Sequence, residues 1–446
     1  MKHFFYKGTN NILDQKDIAT YDDKIKVVKK EIAKVLESRN LSFLIGSGCS
    51  SGKGGIPTMK ELAQRFYNAA SENKSEDLKK LCLNNEVETI LLKLNIGYKK
   101  EPFINNLETL LATLYSLRYY YQQIGTKDEF DDVEKIIAHT KNYILYQCLN
   151  LDNKDDDFEV QNNYKNFYRK LSLRDSNLPK PNIFTTNYDL YSEKAMDELG
   201  ITYANGFSGF IERYFNPSIF NYALAEQMDI SSFKWNVIDS FIYLFKIHGS
   251  VNWVEVEESN KLFKIKELQE VSFQFLKTQL NVMIYPSPIK QNASLGTPYS
   301  DLFREFQRRI AQNQSVLVTM GYGFSDEHIN NLIYQALTIP TFRLIVFSEL
   351  GYYSGKEYQI EKQNVNRLKN LNDSRIWIIG SDNEFEEGAN GKEINLGKAL
   401  YYFNVITNEL LPDWSENLIE SKNEMIIDMM KKAVSEKNKN QSDDKG

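Results

Sequence analysis

Four segments of this chain share one arrangement: a short apolar run ends in a cluster of glycine or small polar residues. The runs are Leu41–Ile45, Asn182–Thr186, Ile242–Ile247 and Ser315–Met320. Two further runs, Arg343–Phe347 and Arg375–Ile379, have the same character. All are rich in Ile, Val, Leu and Phe without clean alternation, as strands buried on both faces are. A helical pattern over Lys60–Ala70 follows the first run and its glycine-rich loop. Strand–helix alternation of this kind predicts an α/β fold. If the strands are parallel, all four clusters reach one edge of the sheet, where open α/β sheets bind their ligands.

The interval 75–175 reads differently. Leu107, Leu110, Leu111, Leu114, Leu117 and Tyr121 recur at helical spacing, as do Val133, Ile136, Ile137, Thr140, Tyr143 and Ile144. This is a helical insertion or lid between the first two core strands, or equally a helical unit used only for assembly. Residues 205–240 read as irregular, with aromatic residues and Asn-Gly and Asn-Pro turns. The tail, 435–446, is polar and expected to be disordered. No internal repeat is visible.

Composition narrows the function. The 446 residues carry a formal net charge of −6, which argues against a broad basic face for nucleic acid. The three cysteines, Cys49, Cys82 and Cys148, lie far apart and suggest neither a disulfide framework nor a four-cysteine zinc site. No signal peptide or membrane span is read from the sequence, and a reduced cytoplasmic protein is the simplest expectation.

The first cluster lies in Leu44–Thr58, which reads Leu-Ile-Gly-Ser-Gly-Cys-Ser-Ser-Gly-Lys-Gly-Gly-Ile-Pro-Thr. Glycines let backbone N–H groups approach a phosphate, and the following helix N-terminus favours negative charge. The GxxxxGK[ST] pattern fails at Ser47 and Gly54, and GxGxxG fails at Ser51. A connection that binds nothing is the remaining alternative. In the second cluster, Thr186, Asn187 and Asp189 crowd behind a strand. They serve a ligand or cap a helix over Ser192–Leu199, with equal standing. His248 ends the third run before Gly249, a setting that more often serves structure than catalysis. In the fourth, Gly321 and Gly323 allow close backbone approach, and Ser325 or Asp326 suits a helix cap. His328 reads as part of a helix start. Shared placement after strands carries more weight than any one cluster.

In order and character these clusters resemble the sirtuin family. Gly46-Ser47-Gly48-Cys49-Ser50 with Gly55-Ile56-Pro57-Thr58 is similar to the sirtuin glycine loop, with one extra residue and Met59 where Phe is usual. Thr185-Thr186-Asn187-Tyr188-Asp189 is similar to Thr-Gln-Asn-x-Asp, and His248-Gly249 to the pair that holds the family's catalytic histidine. The segment Gly321–Asp326 resembles one in bacterial sirtuin-like proteins of antiviral defence systems. The resemblance implies a Rossmann-like parallel sheet flanked by helices; the large helical insertion read from the spacing above departs from a typical sirtuin deacylase. The NAD-binding domain would span 25–430, with 75–175 inserted within it.

It further implies that NAD is the substrate and that no metal is needed. Gly46, Ser47, Gly48 and Ser50 would cradle the phosphates, with Thr186, Gly321 and Gly323 also on the NAD side. Asn187 and His248 would flank the nicotinamide ribose, and Asp189 would lie near the carboxamide. Sirtuin deacylases carry a four-cysteine zinc module that three cysteines cannot form. The defence-associated branch, whose members deplete NAD, fits better. The expectation is a NAD glycohydrolase of antiphage defence that acts by abortive infection, with His248, Asn187 and Asp189 as catalytic residues. A deacylase and a non-catalytic NAD- or ADP-ribose-sensing subunit are the alternatives. The resemblance also implies a homo-oligomer, or a partner such as a HerA-type ATPase or a short Argonaute; the charge and the lack of a long apolar run lead to the expectation of no direct nucleic-acid binding and no membrane.

Overall fold

The computed structural model describes residues 2–412 except 16, 69–74, 152–157, 176, 230–233, 239–240, 257–263, 280, 284–297, 352, 355–356, 359–362 and 383–398. The expected tail 435–446, the stretch 413–430 of the expected main domain, and Ala69 and Ala70 of the expected helix lie outside these residues.

The strands in chain order are β1 (Lys2–Lys7), β2 (Asn10–Asn11), β3 (Asn40–Ile45), β4 (Asn182–Thr185), β5 (Thr202–Ala204), β6 (Phe207–Ser208), β7 (Arg213–Phe215), β8 (Ala225–Asp229) and β9 (Lys234–Val237). They continue as β10 (Phe241–Lys246), β11 (Gly249–Glu255), β12 (Ile265–Glu267), β13 (Asn281–Met283), β14 (Ser315–Met320), β15 (Arg343–Phe347), β16 (Tyr353–Ser354), β17 (Glu357–Tyr358) and β18 (Ile376–Asp382). A nine-stranded sheet has the order β2-β1-β18-β15-β14-β3-β4-β10-β5. From β18 to β5 every neighbour is parallel. All six apolar runs are strands of this sheet, so the expected α/β architecture is present. The antiparallel strands β1, beside β18, and β2, at the edge, were not foreseen.

Burial on both faces explains the missing alternation. Phe43, Ile183 and Leu244 pack on one side with Val28, Ile32 and Val35 of helix α1 (Tyr21–Leu36). Thr20 and Asp23 close a capping box that starts α1, and its buried residues fall on one helical stripe. Leu44, Phe184 and Phe245 pack on the other side against Leu302 and Phe306 of the Tyr299–Ile310 helix and Ile329 and Ile333 of the Glu327–Leu337 helix.

Among the described residues six α-helices lie between β3 and β4: α2 (Met59–Tyr67), α3 (Glu76–Leu81), α4 (Asn85–Lys93), α5 (Leu107–Ile124), α6 (Lys127–Cys148) and α7 (Glu159–Ser172). The helices α2 to α6 share a core of their own, joined by Val251 and Val254 of β11. In contrast, α7 lays Tyr164, Phe167 and Tyr168 against the main sheet beside α8 (Tyr191–Leu199).

The reading of 205–240 as irregular is corrected. Its described part holds β6 to β9, and a second, five-stranded sheet has the order β13-β11-β12-β7-β6. Strands of two to five residues are too short to display a period. Among the described residues no helix is long and apolar enough to cross a membrane.

Candidate active site

Sheet register brings the four clusters together. Met320, Ile45, Thr185 and Lys246 form one row at the carboxyl ends of β14, β3, β4 and β10. Each strand then gives way to its cluster: Gly321, Gly46, Thr186 and, after Ile247, His248. Main-chain bonds prolong the sheet past its last paired row. Gly46 N–H donates to Met320 O at 2.9 Å, Thr186 N–H to Ile45 O at 3.1 Å and Ile247 N–H to Thr185 O at 2.9 Å.

The glycine loop packs tightly against the loop after β14. A Cβ on Gly46 would lie 2.4 Å from Gly321 O and 2.6 Å from Tyr322 Cα, and one on Gly321 would lie 2.5 Å from Cys49 N. These glycines let two loops of the same chain touch. Of the four residues expected to cradle phosphates, Gly46, Ser47, Gly48 and Ser50, some N–H groups already have main-chain partners. Gly48 N–H donates to Gly321 O and Ser50 N–H to Ser47 O, so with Gly46 three of the four are committed. Among the described residues only Ser47 of the four has its N–H free of a main-chain carbonyl. Gly323 is exposed, and a Cβ there would meet nothing within 4 Å. Gly46→Ala should therefore destabilise the fold by about 2 kcal/mol or more, because the atoms it meets are backbone. A urea midpoint equal to wild type would refute this account of the glycine pair.

Beneath the loop sits a buried polar cluster. Asn187 Nδ2 donates to Gly46 O at 3.0 Å and Ser50 Oγ at 2.9 Å, and lies 3.4 Å from Tyr164 OH. Ser50 Oγ is 2.8 Å from Tyr164 OH. These partners fix which end of the amide is the donor. Asn187 Oδ1 is then left buried with no hydrogen-bond partner among the described residues.

Asp189 lies in the same cluster, buried. Its Oδ1 accepts from Tyr191 N at 3.1 Å, so it serves the start of α8, and Ser50 also bonds its carboxylate. Burial raises its pKa, against the pull of Lys246. Lys246 itself is buried and donates to Tyr188 O at 3.3 Å, to Asp189 O, and to Glu193 Oε1 at 2.9 Å. Burial raises the Glu193 pKa too, again opposed by Lys246. Lys246, Glu193 and Tyr164 escaped the sequence reading. Lys246 sits inside an apolar run, and Tyr164 and Glu193 read as ordinary helix residues.

His248 occupies the turn where the chain leaves the parallel sheet for the second one. Gly249, at φ +88°, makes that turn in a conformation suited to glycine. His248 Nε2 lies 3.1 Å from Oδ2 of Asp326, without the alignment of a hydrogen bond. Asp326 caps the Glu327–Leu337 helix, which places His328 in that helix's first turn as expected.

Residues 181–342 match the SIR2-like domain family. That match supports a sirtuin-like family, and SIR2-like domains bind NAD. The matched region contains Asn187, Asp189, His248, Gly321 and Gly323, whereas the glycine loop lies before it. The chain is also similar to the type II restriction enzyme BsuFI of Bacillus subtilis, 25% identical over 195 residues, covering 39% of this chain and 49% of that enzyme. The chain thus spans about half the length of this curated relative.

Proposed function

We propose that the chain hydrolyses NAD to nicotinamide and ADP-ribose. The observation that carries this reading is the orphaned Oδ1 of Asn187, a buried acceptor held at the carboxyl edge of the sheet, where His248 follows β10. A buried acceptor with no partner is costly, so it suits a water or hydroxyl that arrives with the substrate.

Breaking the nicotinamide–ribose bond builds positive charge at the anomeric carbon. Water must be oriented and deprotonated as that charge grows. Asn187 Oδ1 accepts a hydrogen bond from the attacking water, and His248 takes its proton as general base. The water oxygen bonds to the anomeric carbon. The ring nitrogen keeps the pair of the broken bond and leaves as neutral nicotinamide, so one proton is released per turnover. Asp189 acts from below, holding Ser50 and the start of α8. On the phosphate side, Ser47 and the open backbone at Gly323 are the available contacts.

Uncontrolled NAD loss would harm the host. The proposal therefore includes an antiphage role in the cytoplasm, with activity withheld until self-assembly or a separate partner releases it, and α2 to α6 as the surface for that control.

The test is chromatography of NAD incubated with the purified chain, alone and with its genomic neighbour. Nicotinamide and ADP-ribose are expected. Nicotinamide released only with an acylated peptide would assign deacylation, and binding without turnover in both preparations would assign a sensor.

A further inference from the structure

We propose that Asp326 is a positioning residue for His248, holding the imidazole through Nε2–H so that Nδ1 is the nitrogen that takes up the proton. Its consequence for turnover rests on the hydrolase reading above.

Three observations carry it. The carboxylate is divided between two tasks. Oδ1 accepts from His328 N at 3.0 Å and Ile329 N at 3.3 Å, which completes the helix cap, while Oδ2 stands 3.1 Å from His248 Nε2. A cap alone needs one oxygen, which Ser or Asn supplies as well.

The contact is also sheltered. The side chains of His248 and Asp326 are only 12% and 10% exposed. Nε2 is a buried atom with no aligned hydrogen bond among the described residues, and a small rotation of either group would engage Oδ2. Such bonds often tighten only when substrate binds. A neutral imidazole with its proton on Nε2 has its lone pair on Nδ1, so a carboxylate at Nε2 selects the tautomer.

Finally, the loop that delivers Asp326 is bent and held. Phe324 is fully buried at φ +55°, a conformation disfavoured for a bulky residue. Its carbonyl accepts from Asn330 Nδ2 at 2.8 Å and Asn364 Nδ2 at 2.7 Å. Tyr322 OH donates to Asn330 Oδ1 at 3.0 Å. Strain that surrounding bonds over-determine is found where a side chain must be aimed.

Asp326→Asn tests the assignment, because Asn retains the cap and removes the charge. Asp326→Ser, which also caps, is the second variant should Asn fail to fold. Nitrogen NMR of the protein carrying ¹⁵N-labelled histidine reads the tautomer, with His248→Ala assigning the His248 signal among the four histidines. The expected result is an Nε2–H tautomer in wild type and a tautomer mixture in Asp326→Asn. With it, kcat should fall by about 100-fold and KM should change little. Unchanged nitrogen shifts would overturn the proposal and leave the hydrolase reading intact. Shifts that move in a wild-type background without NAD turnover would sustain the positioning of His248 and end the hydrolase reading. Shifts that move while kcat is unchanged would overturn the link to turnover.

Discussion

Replacing His248 with alanine is expected to lower NAD hydrolysis by about 10²- to 10⁴-fold, the range of a lost general base. The effect should fall on kcat, because the proton moves only as water attacks. The fold should survive. The bond that anchors this turn, Ile247 N–H to Thr185 O, belongs to the main chain, as does the conformation of Gly249. The imidazole lies past the carboxyl end of β10 and keeps 12% of its surface exposed. Nicotinamide release from the purified variant, with circular dichroism to verify folding, provides the measurement. A well-folded variant that retains wild-type turnover would remove His248 from the mechanism.

The second large effect concerns stability. Lys246→Met should destabilise the protein by about 3–5 kcal/mol at neutral pH, the usual result of removing one member of a buried ion pair. Glu193 would lose its cation, Asp189 its nearby positive charge, and the carbonyls of Tyr188 and Asp189 a donor. The pH dependence has a definite sign. Burial already raises both carboxyl pKa values in the folded protein. Such a group contributes most below its unfolded pKa, and that contribution is lost as pH rises through the folded one. Without Lys246 both values rise further, so the gap between variant and wild type should widen towards neutrality and narrow as pH falls through the carboxylate range. Urea midpoints at neutral and acidic pH test this. A gap independent of pH would mean that Lys246 acts through packing alone.

Much of the frame was legible in the sequence because parallel strands buried on both faces leave unbroken apolar runs. Leu41–Ile45 and Ser315–Met320 need no alternation to be recognised. The cluster after each run was legible for a related reason, since glycine and short polar residues stand out against Ile and Val. Partnerships were not legible. Nothing local to Gly46 says that its neighbour is Gly321, or that the two glycines let their loops touch. Lys246 lies inside an apolar run, and its partner Glu193 comes from a helix that begins only after β4. His248 and Asp326 each had a plausible local role, and only the fold brings them within 3.1 Å. The short strands of the second sheet depend on pairing with distant segments and leave no local period.

The order of the central strands bears on how the chain is made. On one side β3 pairs with β4, and on the other with β14, so Asn40 waits for Ser315 before its second edge is covered. On the ribosome, the nascent polypeptide presents β3 as an open apolar border until most of the protein has emerged. Such a border is a template for wrong pairing, and contacts so distant in sequence close slowly. The same delay means that Gly321 reaches Gly46, and Asp326 reaches His248, only late in synthesis. A product released early by a premature stop before β14 would lack the whole Gly321–Asp326 wall and would leave that border for chaperones or proteases to find.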